Sequence, residues 1–145
     1  MKIALAVLLG CAVCAALLLW QHRTVMPAHT KTVSVGTTTV AVEVADTEPA
    51  RELGLGGRDS LAPGHGMLFV FDAPGSWGIW MKDMRFPIDI VWARGDGTVT
   101  AVARGISPAT YPEVFYPPAP DALFVLELPA GGAASLAEGS KIVVQ

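Results

Sequence analysis

Apolar and polar residues alternate along most of this chain, but only after two segments of a different kind. From Ile3 to Trp20 the run is apolar throughout, and its eighteen residues would rise about 27 Å as a helix, close to the hydrocarbon thickness of a bilayer. An N-terminal hydrophobic helix over residues 1–20 is therefore expected. Residues 21–30 (QHRTVMPAHT) are polar, lack periodicity and read as a linker. From Lys31 to the C-terminus the period becomes that of strands. Val33 and Val35 precede a turn at Gly36, and Val40, Val42 and Val44 alternate with Ala41, Glu43 and Ala45, as in a hairpin with one buried face. Asp46-Thr47-Glu48-Pro49 carries the signals of a helix start, and Gly54 ends that helix early, with Leu53 and Leu55 set to contact the sheet.

Further strands are expected at Met67–Phe71, at Trp77–Met81 and after Pro87 at Ile88–Trp92. Arg94-Gly95-Asp96-Gly97 turns the chain back into Thr98–Arg104. Residues 108–120 hold five prolines and two tyrosines and form a stiff loop. Ala122–Leu128 reads as a strand buried on both faces, residues 131–138 as a short Ala-rich helix, and Lys141–Val144 as a closing strand. Many short strands with one or two short helices define a mainly β domain over residues 31–145, either a β-sandwich or a partly open β-barrel.

Composition changes this picture mainly at the N-terminus. The hydrophobic share of 52% is raised by residues 1–20, and both cysteines, Cys11 and Cys14, lie within that run. Their spacing has no polar setting for redox or zinc chemistry, and the remaining domain has no thiol for a disulfide. Three fates compete for residues 1–20: a retained membrane anchor, a cleaved signal peptide, or a lipid attached at Cys11 within Leu8-Leu9-Gly10-Cys11. The anchor is preferred because Leu17-Leu18-Leu19-Trp20 gives a poor cleavage site. All three place the domain outside the cytoplasm, and the anchor makes the inner membrane a partner. The net charge of −3 provides no footprint for nucleic acid.

Several motifs recur in a familiar order: Arg51-x-x-Gly54-Leu55-x-x-Arg58, Gly66-Met67-Leu68-Phe69-x-Phe71, Trp80-Met81-Lys82, Pro87-Ile88-Asp89 and Leu126-Glu127-Leu128-x-x-Gly131. Together they resemble the widespread bacterial and archaeal family known as domain of unknown function 192, from about residue 38 onward. The resemblance implies a compact β-sandwich-like domain with no assigned activity, cofactor or catalytic residue. Two positions depart from the family pattern. Gly56 stands where members usually carry Met, and Asp83 where they usually carry Asn.

The charged residues bordering the apolar motifs supply the candidate chemistry. Asp89 lies between Ile88 and Ile90, and a carboxylate there needs solvent or a cation. Arg51, Arg58 and Lys82 are the nearby cations, with Trp80 as an apolar wall and Asp83 beside them. Their convergence would form a cationic cleft for a small anionic molecule or a peptide carboxylate. The plainer reading makes Asp89 half of a structural ion pair. Gly54-Leu55-Gly56-Gly57 reads as a helix cap and turn, His65 as a solvated loop residue, and Glu127 as an exposed strand residue or the partner of an arginine. No metal, cofactor or nucleophile pattern stands out. The expected function is a membrane-tethered extracytoplasmic binding module, with a carboxylate-dependent hydrolase and a purely structural envelope module as alternatives.

Overall fold

The computed structural model describes residues 29–145. It begins with a hairpin, β1 (Thr30–Val35) and β2 (Thr38–Ala45), joined through Gly36 at φ +61°. Helix α1 (Glu48–Leu53) follows, with Thr47 as its N-cap accepting from the Ala50 amide at 3.4 Å. Pro49 falls in the first turn, where its missing N–H leaves nothing unpaired, and Gly54 at φ +50° ends the helix. Strand β3 (His65–Gly75) then pairs parallel with β2, placing Glu43 opposite Met67. The crossover between them, α1 and residues 54–64, covers one face of the sheet.

The remaining strands are β4 (Ile79–Trp80), β5 (Ile88–Ala93), β6 (Val99–Ile106), β7 (Val114–Phe115), β8 (Ala122–Pro129) and β9 (Ile142–Val144). Seven of the nine form one sheet in the order β6-β5-β8-β3-β2-β1-β9, while β4 and β7 form a small separate ribbon. The large sheet curls until its outermost strands touch. The Val99 amide donates to the Ser140 carbonyl at 2.8 Å, and the Ile142 amide to the Gly97 carbonyl at 2.9 Å. Gly97, at φ +79°, allows this seam, because a Cβ there would collide with the Ile142 carbonyl oxygen. Lys141 ties the seam from outside, reaching Asp96 Oδ2 and Thr98 Oγ1 at 2.7 Å each. The domain is thus mainly β, a curled, half-open sheet with one α-helix.

Apolar side chains fill both faces. Val33, Val42, Leu68, Val91, Leu126 and Leu136 pack inside the curl. On the outer face Met67, Phe69, Ile90, Trp92 and Val125 pack beneath Leu55, Ile79 and Met81 from the covering loops. Strands β5 and β8 at the centre are therefore buried on both sides, as the run Ala122–Leu128 predicts.

Three expectations need correction. The Ala-rich helix at residues 131–138 is a series of turns, because Gly131 takes φ +89° and the Gly132, Ala134 and Leu136 amides each donate only three residues back, to Pro129, Gly131 and Ala133. Leu53, expected against the sheet, is 58% exposed, and Leu55 alone makes the contact. The hydrophobic helix at residues 1–20, with its three possible fates, lies outside the described residues. Among the described residues no helix is long and apolar enough to cross a membrane, and α1 has only six residues. That finding runs against the expected membrane-tethered function, the membrane as partner and the inner-membrane location.

Candidate functional site

Glu127 occupies the middle of β8, opposite Met67 of β3 on one side and Ile90 of β5 on the other. Strand alternation sends it out through the same face as Val125, beneath the crossover. It is 4% exposed, and no described residue hydrogen-bonds its Oε2. An unpaired buried carboxylate is costly, so the proton is retained. Burial pushes the Glu127 carboxyl up to about 8, with the charge of Arg58 pulling weakly the other way.

Above Glu127 lies a pocket of about 220 Å³. Leu55, Phe69, Phe71, Ile79 and Met84 form its apolar wall; Trp80 stands beside them, and Glu48, Arg51, Glu52 and Lys82 complete the lining. The loops that build the wall rely on close backbone approaches. Gly56 packs where a Cβ would lie 2.9 Å from the Leu53 carbonyl oxygen, and the Gly57 amide donates to the Asp83 carbonyl at 2.8 Å. Across the pocket, Gly78 admits the Tyr116 ring against the backbone at the start of β4.

Of the six residues expected to share a cleft, Arg51, Trp80 and Lys82 line this pocket, whereas Arg58, Asp83 and Asp89 do not. Arg51 donates from one nitrogen to the carbonyls of Asp46 and Val70, each at 2.8 Å, and its guanidinium lies 5.2 Å from the Phe71 ring centroid. The other face of Phe71 stacks on Trp77, with centroids 4.1 Å apart. Lys82 Nζ lies 5.7 Å from the Trp80 ring centroid, and the Tyr111 ring stands edge-on to Trp80 at 6.5 Å. Arg58 grips Glu43 with both terminal nitrogens, at 2.5 and 2.8 Å. That bidentate pair holds the Glu43 carboxyl below its usual range, the hydrogen bond from Arg58 being the main cause. Asp83 sits at φ +58°, a left-handed turn position that Asp and Asn tolerate, which accounts for either residue there.

Asp89 reverses its expectation. It points into the curl, away from Glu127, and is fully buried. Its companions are backbone amides, not cations: Gly105 at 2.8 Å to Oδ1, with Gly131 at 3.0 Å and Ala133 at 2.9 Å to Oδ2. The carboxylate is satisfied there and pins two loops to β5. The cationic cleft therefore does not assemble, since its acid is on the other face and two of its three cations are engaged by the protein itself. Glu127, the residue that sequence reasoning placed outside the site, forms part of the actual pocket. The signal for it was available, because an acid within a strand predicted to be buried on both faces must itself be buried.

Asp121 Oδ1 is also buried without a partner among the described residues, but Asp121 Oδ2 is held by Arg94 at 2.6 Å. Among the described residues, no cluster of three or more His, Cys, Asp or Glu side chains is arranged to hold a metal ion.

A curled β-sheet with a pocket roofed by its crossover and a neutral acid beneath defines a small mainly β domain with one candidate ligand site. The chain belongs to the DUF192 family, described as "Uncharacterized ACR, COG1430", whose model matches residues 30–144. Two solved structures share the fold. One, from Sinorhizobium meliloti 1021, is described as a candidate transcription regulator; it is 28% identical with a TM-score of 0.74, over 82% of this chain and 96% of the other. The second, a protein of unknown function from Novosphingobium aromaticivorans DSM 12444, is 26% identical with a TM-score of 0.72, over 84% and 89% of the two chains. No curated protein matches the sequence.

Proposed function

We propose that this domain is a small-molecule-binding module whose ligand enters between α1 and the β4–β7 ribbon and places its polar group on Glu127. One observation carries this reading: Glu127 Oε2 is buried and unpartnered among the described residues, and the residue lines a pocket. Folded proteins seldom leave such an oxygen orphaned, because each one costs about 1–3 kcal/mol. A ligand that supplies the missing hydrogen bond recovers that energy as affinity.

The rest of the pocket has the usual composition of a ligand site, largely apolar with few polar groups. Its volume is below the roughly 300–1,000 Å³ of drug-sized sites, which favours a single substituted ring over a nucleotide. The regulator description of the Sinorhizobium protein does not transfer readily, because a net charge of −3 gives DNA phosphates little to bind.

A fragment library titrated against the isotope-labelled chain and followed by NMR tests the proposal. Shifts are expected to gather at Leu55, Phe69, Ile79, Trp80 and Glu127, and Glu127→Leu should weaken the best fragment at least tenfold. Hits that gather elsewhere, or affinity indifferent to that substitution, would overturn it.

A further inference from the structure

We infer that the ligand of the Glu127 pocket is an uncharged ring compound carrying a donor–acceptor edge, such as a lactam or cyclic amide, which pairs with the Glu127 carboxyl at two points. The inference rests on the pocket reading above and adds the ligand class.

The lining disfavours charged ligands of either sign. A cationic ligand would seek aromatic faces and a carboxylate. Both faces of Phe71 are already taken, one by Arg51 at 5.2 Å and the other by Trp77 at 4.1 Å. Trp80 carries Lys82 at 5.7 Å and the Tyr111 edge at 6.5 Å. The protein's own cations, Arg51 and Lys82, thus already occupy cation–π positions on Phe71 and Trp80. A ligand ammonium would also have to strip the proton from a carboxyl that burial keeps protonated.

An anionic ligand fares no better beside Glu127. Arg58, the cation whose charge reaches Glu127, is bound at both terminal nitrogens by Glu43. Arg51 uses one nitrogen on two backbone carbonyls, Lys82 stands at the Trp80 ring, and Glu48 and Glu52 offset both charges in the lining. The cross-strand neighbours of Glu127, Met67 and Ile90, are apolar and bring no charge to it. The charge that reaches Glu127 is that of Arg58, so a ligand anion paired instead with Arg51 or Lys82 would leave the Glu127 carboxyl unpartnered.

A neutral edge meets neither obstacle. A protonated carboxyl has one O–H donor and retains acceptor capacity. A lactam or cyclic amide offers an acceptor C=O and a donor N–H side by side, the complementary pair. The apolar wall of Leu55, Phe69, Ile79 and Met84 would enclose the rest of a flat ring within about 220 Å³.

Three ring fragments of matched size separate the classes: 2-pyridone, benzylamine and benzoate. Each is titrated by NMR into the chain, into Glu127→Gln and into Glu127→Leu, at pH 6.5 and pH 9.5, with thermal unfolding confirming that each variant is folded. Gln is neutral and offers a donor and an acceptor at the same place. The expected result is that 2-pyridone binds most tightly at pH 6.5, within threefold in Glu127→Gln and at least tenfold more weakly in Glu127→Leu. Raising the pH to 9.5 should weaken it in the parent chain but not in Glu127→Gln. Preferred binding of benzylamine, lost in Glu127→Gln, would overturn the ligand class and leave the pocket reading standing. Preferred benzoate binding would overturn the class in the same way. Absence of pocket shifts with all three fragments would overturn the class and count against the pocket itself.

Discussion

Glu127 and Asp89 lie one register step apart on neighbouring strands, and their side chains leave the sheet through opposite faces. Both are buried acids, yet they meet opposite fates. Asp89 receives three backbone amides, whereas Glu127 Oε2 has no partner among the described residues. The first arrangement fixes loops, and the second leaves a polar group unpartnered beside a pocket. Their contrast separates structure from function in this domain and sets the first predictions.

The folded state holds a proton on Glu127 up to about pH 8, while the unfolded chain releases it near 4.5. Stability from this group is therefore complete below pH 4.5, declines as pH rises toward 8 and is level above. The fall amounts to up to roughly 5 kcal/mol. Glu127→Gln should abolish this slope and be more stable than the parent at pH 8.5. Urea unfolding at pH 5, 7 and 8.5 measures it, and parallel curves for the two proteins would refute the assignment.

Removing Arg58 acts on two acids at once. Arg58→Ala releases Glu43 from its bidentate grip and withdraws the positive charge that restrains Glu127. The Glu43 contribution, present above its unfolded value and lost as pH falls through its lowered folded value, should vanish. A loss of about 1 kcal/mol at neutral pH is expected for a half-exposed pair. Carboxyl carbon titration by NMR should show Glu127 moving upward and Glu43 returning toward its ordinary value.

Asp89 should behave as a structural residue. Replacing it with Ala strands three amides, that of Ala133 buried, and should cost about 2–4 kcal/mol. Asp89→Asn keeps one acceptor oxygen but turns an amide nitrogen toward a donor, so it should fall between. Fragment affinity in the Glu127 pocket should survive in whatever fraction remains folded. A folded Asp89→Asn protein without fragment binding would link the two faces.

Gly97→Ala should open the seam. The substitution forces a side chain into a left-handed backbone and against the Ile142 carbonyl, costing about 2–4 kcal/mol. Hydrogen exchange should accelerate at the Val99 and Ile142 amides before it does in β3, β5 or β8.

Much of the fold was legible in the residues because its signals are local. Gly36, Thr47, Pro49 and Gly54 mark turns and caps by their own stereochemistry, and the valines of β1 and β2 declare their buried face by alternation. What was not legible depends on distant partners. Gly131 takes φ +89° with its amide bonded to Asp89, 42 positions away, a distant partner that the Ala-rich run does not reveal. The candidate site failed for the same reason. Asp89 was assumed to need a cation because spacing cannot reveal amides arriving from other loops. Arg51 and Arg58 looked free because their acceptors, the Val70 carbonyl and the Glu43 carboxylate, come from strands they do not belong to. Glu127 was read as exposed or arginine-paired even though its strand was recognised as buried on both sides; it is 4% exposed, with no partner on Oε2 among the described residues.

The meeting of residues 97–99 with 139–142 also bears on solubility. Closure occupies backbone donors and acceptors that an open sheet would present to other molecules, a known template for aggregation. A chain cut before Lys141 would uncover β1 on one side and Gly97 and Thr98, just ahead of β6, on the other at the same stroke. It should self-associate in the manner of unpaired strands, even with its Glu127 pocket left whole.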